Sequence, residues 1–167
     1  MKIIVIGCPG SGKSFLSNKI SSILNTKVYH MDVLYWRRNW KHITRFHLKW
    51  NLFCITHKKN WIIDGNYSHT LEYRIKKANL IVVFDFPTEV CMKNAKSRVG
   101  KKRDDLPTYL EEKDDPEFYE IITNFKEKSY PYIETLIKKY PSKEVVILKT
   151  IDDENKFLDS LSTMLDQ

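Results

Sequence analysis

The chain has 167 residues, 42% of them hydrophobic and 29% charged, with a formal net charge of +7. That length suits one domain with a proper core, and no apolar run approaches the ~18 residues of a membrane span. Three scattered cysteines (Cys8, Cys54, Cys91) with no Cys-x-x-Cys exclude a disulfide framework and a zinc site. The opening Met1-Lys2 and its four apolar residues are too short for a signal peptide, so a reducing cytoplasm is the expected compartment.

The first element carries the strongest signal. A short apolar strand runs into Gly7-Cys8-Pro9-Gly10-Ser11-Gly12-Lys13-Ser14, the Gly-x-x-x-x-Gly-Lys-Ser spacing of a phosphate-binding P-loop. Glycines 7, 10 and 12 let successive N–H groups turn inward toward a polyphosphate, and the following helix dipole adds to the attraction. Gly7 through Phe15 are the expected nucleotide contacts, with Lys13 on the β/γ phosphates of ATP and the Ser14 hydroxyl on Mg²⁺. Cys8 lies inside this loop, where alkylation would block a nucleotide unless it is simply the small residue that the turn accepts. The helix runs over 13–24, with Phe15, Leu16, Ile20, Ile23 and Leu24 spaced to face a sheet.

A second strand over 27–30 puts Asp32 at its carboxyl end, where open α/β sheets bind ligands. Residues 33–40, aromatic and basic together, read as irregular. Thr44 caps a helix to about residue 57, whose Phe46, Trp50, Phe53 and Cys54 fall near one face. The third strand, 61–63, closes on Asp64-Gly65-Asn66-Tyr67. A short helix over 71–77 leads to a fourth strand, 80–84, closing on Asp85-Phe86-Pro87. These runs lack alternation, as strands covered on both faces do. Thr88 reads as the cap of a helix reaching residue 97 or 98. A charged stretch follows, then a long helix over 116–139 that Pro131 kinks or splits. A fifth strand over 144–148 and a helix from 152 or 153 to 165 complete an α/β alternation, which calls for a parallel sheet with helices on both sides.

The order of P-loop, Asp-Gly after strand three, Phe-Asp-x-Pro after strand four, basic segment and long helix resembles small P-loop kinases of the adenylate kinase and shikimate kinase type. Tyr29-His30-Met31-Asp32-x-Leu34-Tyr35-Trp36 with Trp61-Ile62-Ile63-Asp64-Gly65-Asn66-Tyr67 is similar to the FlaR-like "DNA topology modulation protein" family. The resemblance implies a three-layer α/β/α P-loop NTPase domain over 1–167 with a five-stranded parallel sheet of order 2-3-1-4-5. It also implies an acceptor-binding insertion at about 31–60 and a short helical lid at about 98–115. Under it, Arg98 packs on the nucleotide, Lys101, Lys102 and Arg103 lie in the lid, and residues 149–151 pass near the adenine. The arginine that holds the AMP phosphate in adenylate kinase falls on Ser68, and the arginine of the helix after the lid falls near Thr123.

Three acids stand at strand ends. Asp64 or Asp85 supports Mg²⁺; Asp64 is preferred because Phe86-Pro87 reads as a packing exit from the site. Asp32 is the acceptor-side candidate, an acid that bonds a hydroxyl and takes its proton, against the plainer role of a cap. Tyr35, Trp36, Trp40 and Tyr67 are candidates to stack on a ring or sugar, or to be core. Asn66 belongs to the same acceptor set. Arg74 reaches an anionic substrate group or forms a surface salt bridge. Arg98 and Arg103 are the candidate cations over the γ-phosphate. His30, His47, His57 and His69 show no metal or triad spacing and receive no role. The chain thus reads as an ATP- and Mg²⁺-dependent kinase of a small hydroxyl- or phosphate-bearing acceptor, a nucleoside, nucleotide or similar metabolite, working as a monomer or weak dimer off the membrane. The alternative is an ATP-binding regulator that touches DNA, motivated by the net charge and the Arg37-Arg38 and 101–103 clusters. A positive field also suits an anionic nucleotide. A degenerate fold kept as an ATP switch is the third reading, opposed by the intact Lys13 and Ser14.

Overall fold

The computed structural model describes residues 1–101, 105–110 and 113–165. Strands β1 (Lys2–Gly7), β2 (Val28–His30), β3 (Trp61–Asp64), β4 (Leu80–Phe84) and β5 (Glu144–Leu148) form one sheet of order 2-3-1-4-5, and every pair is parallel. Its helices are α1 (Lys13–Leu24), α2 (Met31–Tyr35), α3 (Arg45–Thr56), α4 (Ser68–Lys77), α5 (Thr88–Lys96), α6 (Pro116–Thr123), α7 (Tyr130–Lys139) and α8 (Ile151–Leu165). They complete the expected three-layer α/β/α arrangement of a P-loop NTPase fold. β3 and β4 are buried throughout and β1 from Ile3 onward, which is why these stretches are uninterrupted apolar runs. Among the described residues, no helix is long and apolar enough to cross a membrane.

Register positions the site. Val5 of β1 lies beside Asp64 of β3, and His30 of β2 lies beside the same Asp64. The carboxyl ends of β2, β3 and β1 therefore open side by side, at the point where the chain leaves β1 toward one edge of the sheet and β3 toward the other. The α1 helix packs on β1 and β3 and against α8, while α5 packs against α6 and α3 against α4.

Several local expectations are corrected. Phe15 does not face the sheet; it is 63% exposed, and α1 buries Leu16, Ser17 and Ile20 instead. Residues 31–35 are helical, so Asp32 sits in the first turn of α2. The chain then turns back in a narrow hairpin, with Arg37 N–H donating to Lys41 O and Trp36 bridging His42. Asn39 and Trp40 both take left-handed backbone there (φ 57° and 54°). Asparagine tolerates that conformation and a bulky indole does not favour it, so Trp40 is held by its surroundings. Thr44 does cap α3, its Oγ1 accepting from His47 N–H at 3.2 Å. The buried face of α3 is Leu48, Leu52, Ile55 and Thr56, while Phe46, Trp50, Phe53 and Cys54 point outward.

Thr88 is the first residue of α5 rather than its cap, which is Pro87 without a side-chain bond. The long helix is divided: α6 ends at Thr123, one wide turn of π type spans 125–129, and α7 begins at Tyr130. Pro131 has no N–H to continue the ladder, so the break falls just before it. The segment expected as a helical lid runs in turns over its described residues. Lys102 and Arg103 lie outside the described residues. The last helix starts at Ile151, where Asp153 Oδ2 accepts the N–H groups of Lys149 and Thr150 (2.9 Å each) and Thr150 Oγ1 accepts from Asp153 N–H (3.2 Å).

Candidate active site

The P-loop closes the β1 end of a cleft of about 1510 Å³. Gly7, Gly10 and Gly12 take φ of 138°, 83° and 99°, a region closed to most side chains. At Gly10 the demand is also spatial, since a Cβ there would lie 2.1 Å from Cys91 O of α5. Asn94, on the same helix, donates from Nδ2 to Gly10 O (3.0 Å), so α5 fixes the loop from beneath. The first intrahelical bond of α1 is Leu16 N–H to Gly12 O. It leaves the N–H groups of Lys13, Ser14 and Phe15 at the positive, open end of the helix. Ser11 Oγ, buried in the loop, has no hydrogen-bond partner among the described residues. This donor-rich cradle fits a polyphosphate.

Gly7 and Cys8 stand behind the cradle. Asn66 Oδ1 accepts from Gly7 N–H (3.0 Å) and Asn66 Nδ2 donates to Gly7 O (2.8 Å). The Asn66 amide, expected to meet substrate, is thus spent bracing the end of β3 to the loop. The Cys8 thiol is buried against that of Cys91, and this bond, with burial, raises its pKa. It fits the turn as a small residue and offers no reactive thiolate.

Lys13, Arg98, Asp32 and Asp64 meet in the cleft. Burial lowers the pKa of Lys13; the charges of Asp64, Cys8 and Asp32 work the other way, and Arg98 adds to the lowering. Lys13 Nζ donates to Cys8 O at 2.8 Å. Asp64 is buried and accepts a hydrogen bond from His30 Nδ1 at 2.9 Å. Burial opposes the His30 charge, but the bond to Asp64 and the charges of Asp64, Asp105 and Asp32 outweigh it, so the imidazole pKa is raised. Asp85 lies outside the cleft and pairs with Lys126 at 3.2 Å. His30 had no role in the sequence; the signal lay in the pairing of β2 with β3, which sets it beside Asp64.

The same cleft has an aromatic surface. Trp36, Trp40 and Tyr67 line the cleft, and Trp36 and Trp40 meet edge to face at 5.4 Å. The Tyr67 hydroxyl donates to Asp32 Oδ1 at 2.6 Å. Burial, then the charge of Asp32, pushes the Tyr67 phenol up, so it remains a donor. Tyr35 stands one row back, stacked on His42 and edge-on to Trp36 and Tyr67. Arg74 neither meets the cleft nor forms a surface pair. It is 0% exposed, and its guanidinium donates to the carbonyls of Gly65 (2.6 Å), Asn66 and Tyr67. It holds the loop that presents Tyr67, whose φ of 41° is itself left-handed. Ile151, from the segment expected near adenine, lines the cleft, as do Asn94 and Asp105, which sequence reasoning missed.

No family model and no curated protein matches the chain. Its structure is similar to a shikimate kinase from Bacteroides thetaiotaomicron (TM-score 0.53, 14% identity, 99% of this chain and 98% of that one). It is likewise similar to a gluconokinase from Sinorhizobium meliloti 1021 (TM-score 0.53, 14% identity, 98% and 94% covered). A sugar kinase from Janibacter sp. HTCC2649 gives a TM-score of 0.52 at 13% identity, over 98% of this chain and 93% of that one. At these identities the likeness is one of fold, and it spans the chain from end to end.

Proposed function

We propose that this protein is a phosphotransferase that moves the γ-phosphoryl group of ATP to a hydroxyl of a small acceptor. The observation that carries this reading is the meeting of two unlike sets of residues in one cleft. A phosphate cradle with Lys13, Arg98 and Asp64 shares it with Asp32 and an aromatic surface. In the reaction the acceptor oxygen bonds to the γ-phosphorus as the bond to the β,γ-bridging oxygen breaks. The hydroxyl proton passes to the Asp32 carboxylate, and ADP leaves. Lys13, Arg98 and the α1 N–H groups hold the transferring charge, so that, beside the proton transfer to Asp32, catalysis is positioning and electrostatics with no covalent intermediate.

The donor set suits a Mg²⁺ that takes its other ligands from water and phosphate. Among the described residues no group of three His, Cys, Asp or Glu could hold an ion alone. Ser14 Oγ would ligate it and Asp64, steadied by His30, would orient its waters; when bound, the ion neutralises phosphate charge. Calorimetry with ATP and Mg²⁺ tests the reading: saturable binding is expected, with Lys13→Ala cutting ADP formation on the order of 10²-fold or more. An absence of ATP binding at millimolar concentration removes it.

The FlaR-like stretches and the net charge of +7 support a second reading, a nucleotide-binding regulator that contacts DNA. Exposed Arg37, Arg38 and Lys41 on the hairpin are the described cations best placed for it. DNA binding that persists at physiological salt, with a steep salt slope, is its requirement.

A further inference from the structure

The positive charge of this chain is not spread evenly. Over the whole sequence Lys and Arg exceed Asp and Glu by seven, and the stretch between Asp32 and Asp64 holds seven cations and no acid, so the remainder balances. Three lie on the hairpin (Arg37, Arg38, Lys41), two on α3 (Arg45, Lys49) and two just past it (Lys58, Lys59), and all seven are exposed. Among the described residues none pairs with a carboxylate: Arg37 donates to Trp36 O, Arg38 lies over the Tyr109 ring and Lys58 donates to the Tyr29 hydroxyl. The same stretch carries an exposed apolar stripe. With Leu48, Leu52 and Ile55 turned inward, the outer face of α3 presents Phe46, Trp50 and Phe53 at the i, i+4, i+7 spacing of one helix side. Arg45 and Lys49 run along one edge of that stripe, and no residue of α3 lines the cleft.

Charge chooses among the occupants such a face could take. A second copy of the chain, docked by the same face, would set seven cations against seven and is disfavoured. Duplex DNA answers the charge but keeps its base faces stacked inside, which leaves the rings without a partner. A single strand offers base faces to exposed rings. Here, however, Trp50 and Phe53 stack on each other (5.8 Å between centroids, 17° between planes) and Phe53 meets His57 at 4.0 Å, so ring faces are spent on one another along the helix. An anionic bilayer satisfies both features and needs no groove: its headgroup layer takes protruding aromatic rings and its phosphates take the flanking cations. We propose that the outer face of α3 docks this protein on an anionic lipid surface, with Phe46, Trp50 and Phe53 entering the headgroup layer and Arg45, Lys49, Lys58 and Lys59 on lipid phosphates. The chain lies on the bilayer through this face and sends no helix across it. Docking needs no nucleotide and does not depend on the phosphotransfer reading.

Co-sedimentation of the full chain with vesicles of phosphatidylcholine and phosphatidylglycerol, and with phosphatidylcholine alone, tests this. Binding to the anionic vesicles is expected to be about tenfold or more tighter than to the neutral ones, and to weaken as salt is raised. Trp50→Ser with Phe53→Ser should weaken it about tenfold or more, and Arg45→Glu with Lys49→Glu should do the same. Arg45 and Lys49 are both exposed, so the second variant decides the matter even if the serine pair misfolds. Lys138→Glu with Lys156→Glu, two exposed cations outside the stretch, makes an equal change of net charge and should leave binding within about twofold of wild type. Absence of binding to anionic vesicles, equal binding to neutral ones, or equal loss in the two glutamate pairs overturns the proposal. So does a single-stranded oligonucleotide held through Trp50 and Phe53 while vesicles are left unbound.

Discussion

Three carbonyl oxygens converge on Arg74, a buried cation with no carboxylate among its hydrogen-bond partners. Burial lowers its pKa to about 10, so it stays protonated at neutral pH. Arg74→Met would leave these carbonyls without their donor, at a cost of about 1–3 kcal/mol read as a lower urea midpoint. Arg74→Lys should recover only part of it, because an ammonium lacks the planar fork. His30 makes a pH-dependent contribution. Its pKa is raised from 6.5 in the folded chain, so the extra proton affinity stabilises fully below about pH 6.5 and fades as pH climbs through the folded value. The difference in Tm between wild type and His30→Gln should therefore be largest near about pH 6 and shrink toward about pH 9, by thermal melts across that range.

Helix α3 shows what periodicity leaves undecided. Residues 46, 50 and 53 share one face and residues 48, 52 and 55 share another, and both sets fit helical spacing. Only tertiary packing chooses, and it buries the leucines against α2 and α4, leaving Phe46 73% and Trp50 58% exposed. Leu52→Ala should cost about 2–5 kcal/mol while Trp50→Ser stays within about 0.5 kcal/mol, both by chemical denaturation. The α1 helix, by contrast, starts and ends where the sequence put it. The P-loop fixes its first residue, and Asn25 in left-handed backbone closes its last turn. Residues 31–35 escaped notice because a single turn of helix among aromatics has no period to detect.

At the scale of the molecule, the strand-helix alternation made a parallel sheet legible, and the resemblance to small P-loop kinases supplied its order. The phosphate cradle was legible because its chemistry is local: glycines, lysine and serine at fixed offsets in one turn. Asp32, Asp64, Trp36 and Tyr67, which line the cleft, had been named as strand-end or motif residues. His30, Asn94 and Asp105 were not, since each meets a partner far along the chain: Asp64, Gly10 and His30 respectively. Arg74 was misplaced for the same reason, its burial being a property of the fold and not of its neighbours in the chain.

Helix α5 touches the underside of the cradle through Cys91 and Asn94, and two residues past its end the backbone bond from Arg98 N–H to Ala95 O ties that arginine to the same helix. Floor and ceiling of the phosphate site thus hang from a single rod. Any tilt of that rod carries the two together, so under the phosphotransfer reading the grip on a nucleotide would tighten or slacken as one unit instead of by separate adjustment of its parts.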